Sequence, residues 1–119
     1  MKKNPILQEL SVGSWIQIGH PGVAEIMASA GFDWLAVDLE HSAITLREAE
    51  DLIRVIDLKD VVPLVRISSN NSEQIKRIMD AGAHGVIVPM IGQHAYRRGT
   101  GAFEASPDIK NPKELYKCH

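Results

Sequence analysis

Four short apolar segments constrain this chain more than any other feature: "SWIQIG" (14–19), "WLAVDL" (34–39), "VVPLVRI" (61–67) and "GVIVPM" (85–90). All are rich in β-branched and aliphatic residues, and none alternates cleanly with polar ones. A strand with water on one face alternates; a strand covered on both faces does not. These four therefore read as strands of a parallel sheet.

The segments between them carry a helical period. "PGVAEIMASAG" opens on Pro21 at a helix start and closes on Gly31 as a C-cap. "TLREAEDLIRVIDL" sets Leu46, Ala49, Leu52, Ile53 and Ile56 on one stripe, with Thr45 and Glu48 as a capping box. "NSEQIKRIMDAGA" repeats the scheme, with Asn71 or Ser72 as cap, Ile75, Ile78 and Met79 inward and Gly82 as stop. The order is βαβαβαβ with short connections, an α/β arrangement. "SAGFDWLAVD" and "DAGAHGVIVP" share a helix exit, a turn and a strand, which reads as common βα architecture rather than duplication. From Gly92 the pattern fails. "GQHAYRRGTGAFEASPDIKNPKELYKCH" has no valine, scattered Gly and Pro, and no sustained period. Residues 1–91 are thus expected to form one organised unit, and 92–119 an irregular tail with a helical turn at "NPKELYK".

Composition narrows the partners. A formal charge of −2 offers no basic field for nucleic acid and no polybasic membrane patch. No apolar run approaches the roughly 20 residues of a spanning helix. "MKKNPILQEL" has two lysines but lacks the apolar stretch of a signal peptide. Cys118 is the single cysteine, so neither an intrachain disulfide nor a Cys-x-x-Cys site is available. A reducing, cytoplasmic setting is expected.

In parallel α/β folds, ligands bind at the carboxyl ends of the strands. The first strand here ends at His20, the second at Asp38 with Glu40 and His41 beyond, and the third carries Arg66 before "SSNN". A carboxylate ending an apolar strand needs a partner or water. A cation inside one needs an anion, either a structural carboxylate such as Asp38 or the carboxylate of a bound substrate. His41 reads as a catalytic imidazole, or as a neighbour of a helix cap made by Ser42. Trp15 reads as core or as pocket wall, and His84 and His94 as surface residues.

At "FDWLAVDLEHS", "VPLVR", "MDAGAHGVIVPM" and "GSWIQIGHPGVAEIMASAGFDW" the sequence resembles the HpcH/HpaI aldolase family, the citrate-lyase-like class II pyruvate aldolases. The likeness runs from about Gly13 to Met90. It implies a (β/α)8 barrel, of which this chain would hold four βα units, half a barrel. It also implies retro-aldol cleavage of a 4-hydroxy-2-oxo acid to pyruvate and an aldehyde, with a divalent metal, Mg2+, Mn2+ or Co2+. Carried onto this chain, the resemblance makes His41 the general base and Arg66 the residue that grips the oxo acid. It makes Asp38 an acidic neighbour of the histidine, Asp80 its partner, and Trp15 the aromatic of the pocket wall. The chemistry suits these types. An imidazole held by a carboxylate takes a hydroxyl proton near neutral pH. An arginine fork holds carboxylate and keto oxygen together where enolate charge develops.

The strands that bear the family's metal-binding glutamate and aspartate have no counterpart here. Glu104 and Asp108 end no apolar strand and are not assigned as ligands. The expectation is a chain that holds no metal of its own and is impaired or inactive in isolation, as a truncated or frameshifted product would be. The alternative is a non-catalytic half-barrel that self-associates or binds a missing barrel half.

Overall fold

A computed structural model describes residues 10–89. Residues 92–119, with His94, Glu104, Asp108 and Cys118, lie outside that range. In chain order the elements are β1 (Gly13–Ile16), α1 (Pro21–Ala28), β2 (Trp34–Asp38), α2 (Leu46–Leu58), β3 (Val62–Arg66), α3 (Ser72–Asp80) and β4 (Gly85–Ile87). The sheet order is β1-β2-β3-β4, and all three pairings are parallel. The α/β reading holds, with strands and helices slightly shorter than the apolar patterns that announced them.

Strand neighbours that are also sequence neighbours distinguish this sheet from a doubly wound one. Every crossover steps the same way along the sheet, and crossovers share one hand, so all the helices fall on one face. Packing shows this. Ile16, Leu35, Val37, Val65 and Val86 form one core with Ala24 and Ala28 of α1, Leu52, Ile53 and Ile56 of α2, and Ile75 and Ile78 of α3. On the other face Ala36, Val62 and Leu64 are buried with Trp34 and Ile87 packed against them, and no helix joins that cluster. Four consecutive parallel strands joined by three helices on one face, with an apolar layer on the other, have the arrangement of the first half of a (β/α)8 barrel.

The helices are bounded by local chemistry. His20 caps α1, its Nδ1 accepting the Gly22 N–H at 3.0 Å, with Pro21 in the first turn. Thr45 caps α2, its Oγ1 accepting the Glu48 N–H at 3.2 Å. Only half of the expected capping box forms, because the Glu48 carboxylate lies over Gly19 instead. A Cβ at residue 19 would sit 1.9 Å from Glu48 Oε2. Asn71 caps α3 through Oδ1, which accepts the Glu73 and Gln74 N–H groups. Each return to the sheet passes through one left-handed residue: Gly31 (φ 94°), Asp60 (φ 59°) and Gly82 (φ 106°). That conformation reverses the chain after a helix end and favours Gly, or Asp and Asn. Among the described residues, no helix is long and apolar enough to cross a membrane.

Leu52 is fully buried between helix and sheet, whereas Leu58, six residues on, is 83% exposed. Leu52→Ala is expected to cost about 3 kcal/mol through lost burial and a cavity. Leu58→Ala should change stability by less than about 0.5 kcal/mol. Urea unfolding followed by circular dichroism measures both.

Candidate functional site

The parallel register places Asp38 beside Arg66 at the carboxyl ends of β2 and β3. Side chains at paired positions of parallel strands share a face. Both residues therefore emerge on the face without helices, just above the apolar layer of Ala36 and Leu64. Arg66 meets Asp38 in a two-point fork, Nε donating to Oδ1 at 3.0 Å and Nη2 to Oδ2 at 2.6 Å. The Arg66 guanidinium carbon also stands 4.2 Å from the centroid of the Trp15 ring. Trp15 in turn meets Trp34 edge to face at 6.5 Å. The guanidinium is thus fixed in the plane of its fork and from one side.

Asp38 is the one buried charged residue of the described chain, with no exposed surface. Its carboxylate accepts five hydrogen bonds: the two from Arg66, one from Gln17 Nε2 at 3.0 Å, and one each from the Glu40 and His41 backbone N–H groups at 3.0 Å. Burial pushes the Asp38 carboxyl up. The hydrogen bonds from Arg66, from Gln17 and from the His41 N–H, with the charge of Arg66, outweigh it and hold the group well below the usual carboxylate range. The Asp38 hydrogen bonds raise Arg66 against its own burial, and the charges of Asp38 and Glu40 add to that. Both side chains are charged throughout the working range of a protein.

The loop after β2 is folded around the same carboxylate. Ser42 Oγ donates to the Asp38 carbonyl and accepts the Ile44 N–H at 3.1 Å. Ser42 therefore stitches the loop, and Thr45 rather than Ser42 caps α2. His41 N–H and Arg66 Nε share Asp38 Oδ1, so these two nitrogens lie no more than about 6 Å apart. The His41 side chain is 62% exposed, and its Nε2 stands 2.6 Å from Glu40 Oε1. The carboxylate that meets the imidazole is thus Glu40, which the sequence put at the rim without a role. Asp38 is close to His41 through the backbone only.

Trp15, Asp38, Arg66 and His41 come together at one end of the sheet. Asp80 does not join them. It is the exposed last residue of α3, and that helix runs from the carboxyl ends of the strands back to their amino ends. Just beyond it, the His84 N–H bonds the Pro63 carbonyl near the start of β3. His84 Nε2 meets Asp57 Oδ1 at 3.2 Å at that same end, as a surface histidine. Gln17 was absent from the sequence reading. Its signal is period two: Trp15 and Gln17 are both on β1's open side, two residues apart.

The divalent metal implied by the resemblance finds no ligand set here. Among the described residues no three His, Cys, Asp or Glu side chains are grouped to hold a cation. Both oxygens of Asp38 are committed to the donors named above.

The family described as HpcH/HpaI aldolase/citrate lyase matches residues 11–98, which carries the match past the boundary set at Ile91. A hydroxypyruvate/pyruvate aldolase of Agrobacterium fabrum is 40% identical over 80 residues, 67% of this chain and 30% of that protein. A 4-hydroxy-2-oxo-heptane-1,7-dioate aldolase of Salmonella dublin is 35% identical over 80 residues, with the same coverage of 67% and 30%. The crystal structure of an HpcH/HpaI aldolase/citrate lyase family protein from Burkholderia cenocepacia superposes with a TM-score of 0.66 at 30% identity, over 73% of this chain and 35% of that one. The chain spans about a third of the length of the relatives it matches. A match over most of its residues, joined to a shared fold, shows that the chain belongs to the HpcH/HpaI aldolase/citrate lyase family.

Proposed function

We propose that the chain carries the oxo-acid-binding and proton-transfer part of a pyruvate-aldolase site, a carbon–carbon lyase acting on a 4-hydroxy-2-oxo acid. One observation carries this reading. Arg66 spends its Nε and one Nη2 hydrogen on Asp38, and its Nη1 makes no hydrogen bond among the described residues. The outer edge of a guanidinium held so rigidly is a ready fork for a carboxylate and the adjacent keto oxygen. Trp15 floors that position.

In this reading Arg66 holds the 2-oxo acid and adds positive charge where the enolate forms. His41, backed by Glu40, takes the proton of the C4 hydroxyl. The C3–C4 bond then breaks, the aldehyde leaves, and the enolate picks up a proton to become pyruvate. Asp38 moves no proton; it stays ionised and holds Arg66 and the loop. Asp80, at the far end of the sheet, would reach a histidine only in another subunit. Among the described residues no side chains are grouped to hold the metal, which when bound would take up enolate charge as a Lewis acid. Turnover by this chain alone is therefore expected to be slow, at least about a thousandfold below that of a relative holding the ion. A cytoplasmic setting accords with the lone cysteine.

Pyruvate release from a 4-hydroxy-2-oxo acid with Mn2+ or Mg2+, coupled to lactate dehydrogenase, tests the reading. Residual release should fall roughly 100-fold or more in His41→Ala, the range for a lost general base. Arg66→Lys should raise KM about tenfold, since an ammonium cannot serve Asp38 and the substrate in one plane. Equal release by wild type and His41→Ala would remove His41 from the mechanism.

A second reading, a non-catalytic half-barrel that pairs with another copy or a missing half, is favoured by the open face. Trp15 there is 40% exposed, and among the described residues β1 and β4 each lack a neighbour on one side. Exposed apolar area and free strand edges drive association. Light scattering should then show at least twice the 13.1 kDa chain mass, falling toward one chain in Trp15→Ser. A monomer that releases no pyruvate would remove both readings.

A further inference from the structure

We infer that Gln17 is a positioning residue for the oxo-acid site: its side-chain amide locks the Asp38 carboxylate, and through it the fork of Arg66. The inference rests on the reading of Arg66 as the oxo-acid ligand. Gln17 lies one step past the end of β1, and Asp38 and Arg66 are the last residues of β2 and β3. Three consecutive strands thus each supply one polar group to one cluster. Gln17 meets Asp38 Oδ2 at 3.0 Å. A carboxylate only accepts, so the atom facing it is the amide nitrogen. The same Oδ2 takes the 2.6 Å bond from Arg66 Nη2. Gln17 Nε2 and Arg66 Nη2 are therefore within about 6 Å of each other, across one shared oxygen.

The two oxygens of Asp38 are served differently. Oδ1 is tied to Arg66 Nε and to two backbone N–H groups of the loop. Among the described residues, Oδ2 is tied only to Arg66 and Gln17. Without Gln17, Oδ2 rests on Arg66 alone, at the side of the guanidinium that faces the ligand edge. Arg66 would then be drawn toward Asp38 to make up the missing donor, and its outer fork would lose its set direction. Gln17 Oε1 accepts no hydrogen bond among the described residues, so no partner there competes with the bond from its nitrogen to Asp38.

Gln17→Glu supplies a test that a structural role would not pass. Protonated, the introduced carboxyl donates O–H to Oδ2 and replaces the amide. Ionised, it sets one carboxylate against another. The charged groups around it are Asp38 in contact, Arg66 across their shared oxygen, Glu40 near Arg66, His41 paired to Glu40, and His20 and Glu48 at the adjoining turn. Arg66 is shared by both carboxylates and does not titrate in the range used.

The experiment is pyruvate binding to the full chain, followed by tryptophan fluorescence because Trp15 underlies Arg66, together with the 15N signal of Arg66 Nε–H. Gln17→Ala is expected to weaken pyruvate binding about tenfold, the effect of one hydrogen bond to a charged group. It should also speed exchange of the Nε proton. Gln17→Glu should bind at least tenfold more weakly than wild type measured at the same pH near 8, and the gap should narrow as acidification protonates the introduced carboxyl. An unchanged Nε signal in Gln17→Ala, or Gln17→Glu binding pyruvate as tightly as wild type near pH 8, overturns the inference. Should wild type fail to bind pyruvate while the Nε signal responds to both variants, Gln17 keeps its positioning role and the oxo-acid reading falls.

Discussion

The Asp38 carboxylate is taken wholly out of water, and that burial dictates what surrounds it. Removing an ion from solvent costs several kcal/mol even after relaxation, and one partner does not restore it. Five donors surround it, and they come from three parts of the chain: β3, the residue after β1, and the loop leaving β2. Satisfying one carboxylate thereby fixes the spacing of three strand ends and the path of the following turn. The site is rigid because the alternative is an unpaired charge in an apolar layer.

That constraint works only because of the order of the sheet. Sequential parallel strands put every helix on one side and leave the other lined by Trp34, Ala36, Val62 and Leu64. Among the described residues, polar groups occur on that inner face only in the uppermost layer, at the carboxyl ends. Below Asp38 the same strand offers Ala36 and Trp34, and below Arg66 the neighbour offers Leu64 and Val62. The apolar floor excludes water from beneath the ion pair and strengthens it. The helix ends at the opposite rim are held by left-handed turns and by exposed pairs such as His84 with Asp57. That division explains why Asp80, near the helix exit, stands apart from His41.

Much of this was legible beforehand because the periodicities are local. Unbroken apolar runs gave the strands, and Thr45, Asn71, Gly31 and Gly82 bounded the helices as their chemistry demands. Asp60 was invisible as a helix exit, since Asp fits many places and takes up the left-handed conformation only when the next strand requires it. Which carboxylate meets His41 was also hidden. Asp38 and Glu40 precede it by three and one residues, and only the fold decides that the strand holds one inward while the loop turns the other toward the imidazole. Gln17 escaped because a neutral amide in a strand has no signature until its neighbour proves to be a buried anion. The tail from Gly92, with its lack of period, lies outside the described residues, and the family match ends within it at Arg98.

The presence of this pair is itself informative. Apolar residues of similar volume in place of a buried ion pair often leave stability unchanged or improve it. Nothing in the packing of Ala36, Leu64 and Ile87 requires ions above them. A sheet selected for stability alone would have continued its apolar layers to the rim. A carboxylate that holds a guanidinium on two points, over an indole and with one edge left open, gives up that option for orientation. On the proposed reading, the negative group that such orientation serves is the carboxylate of the oxo acid, and Arg66 is the residue around which the site is built.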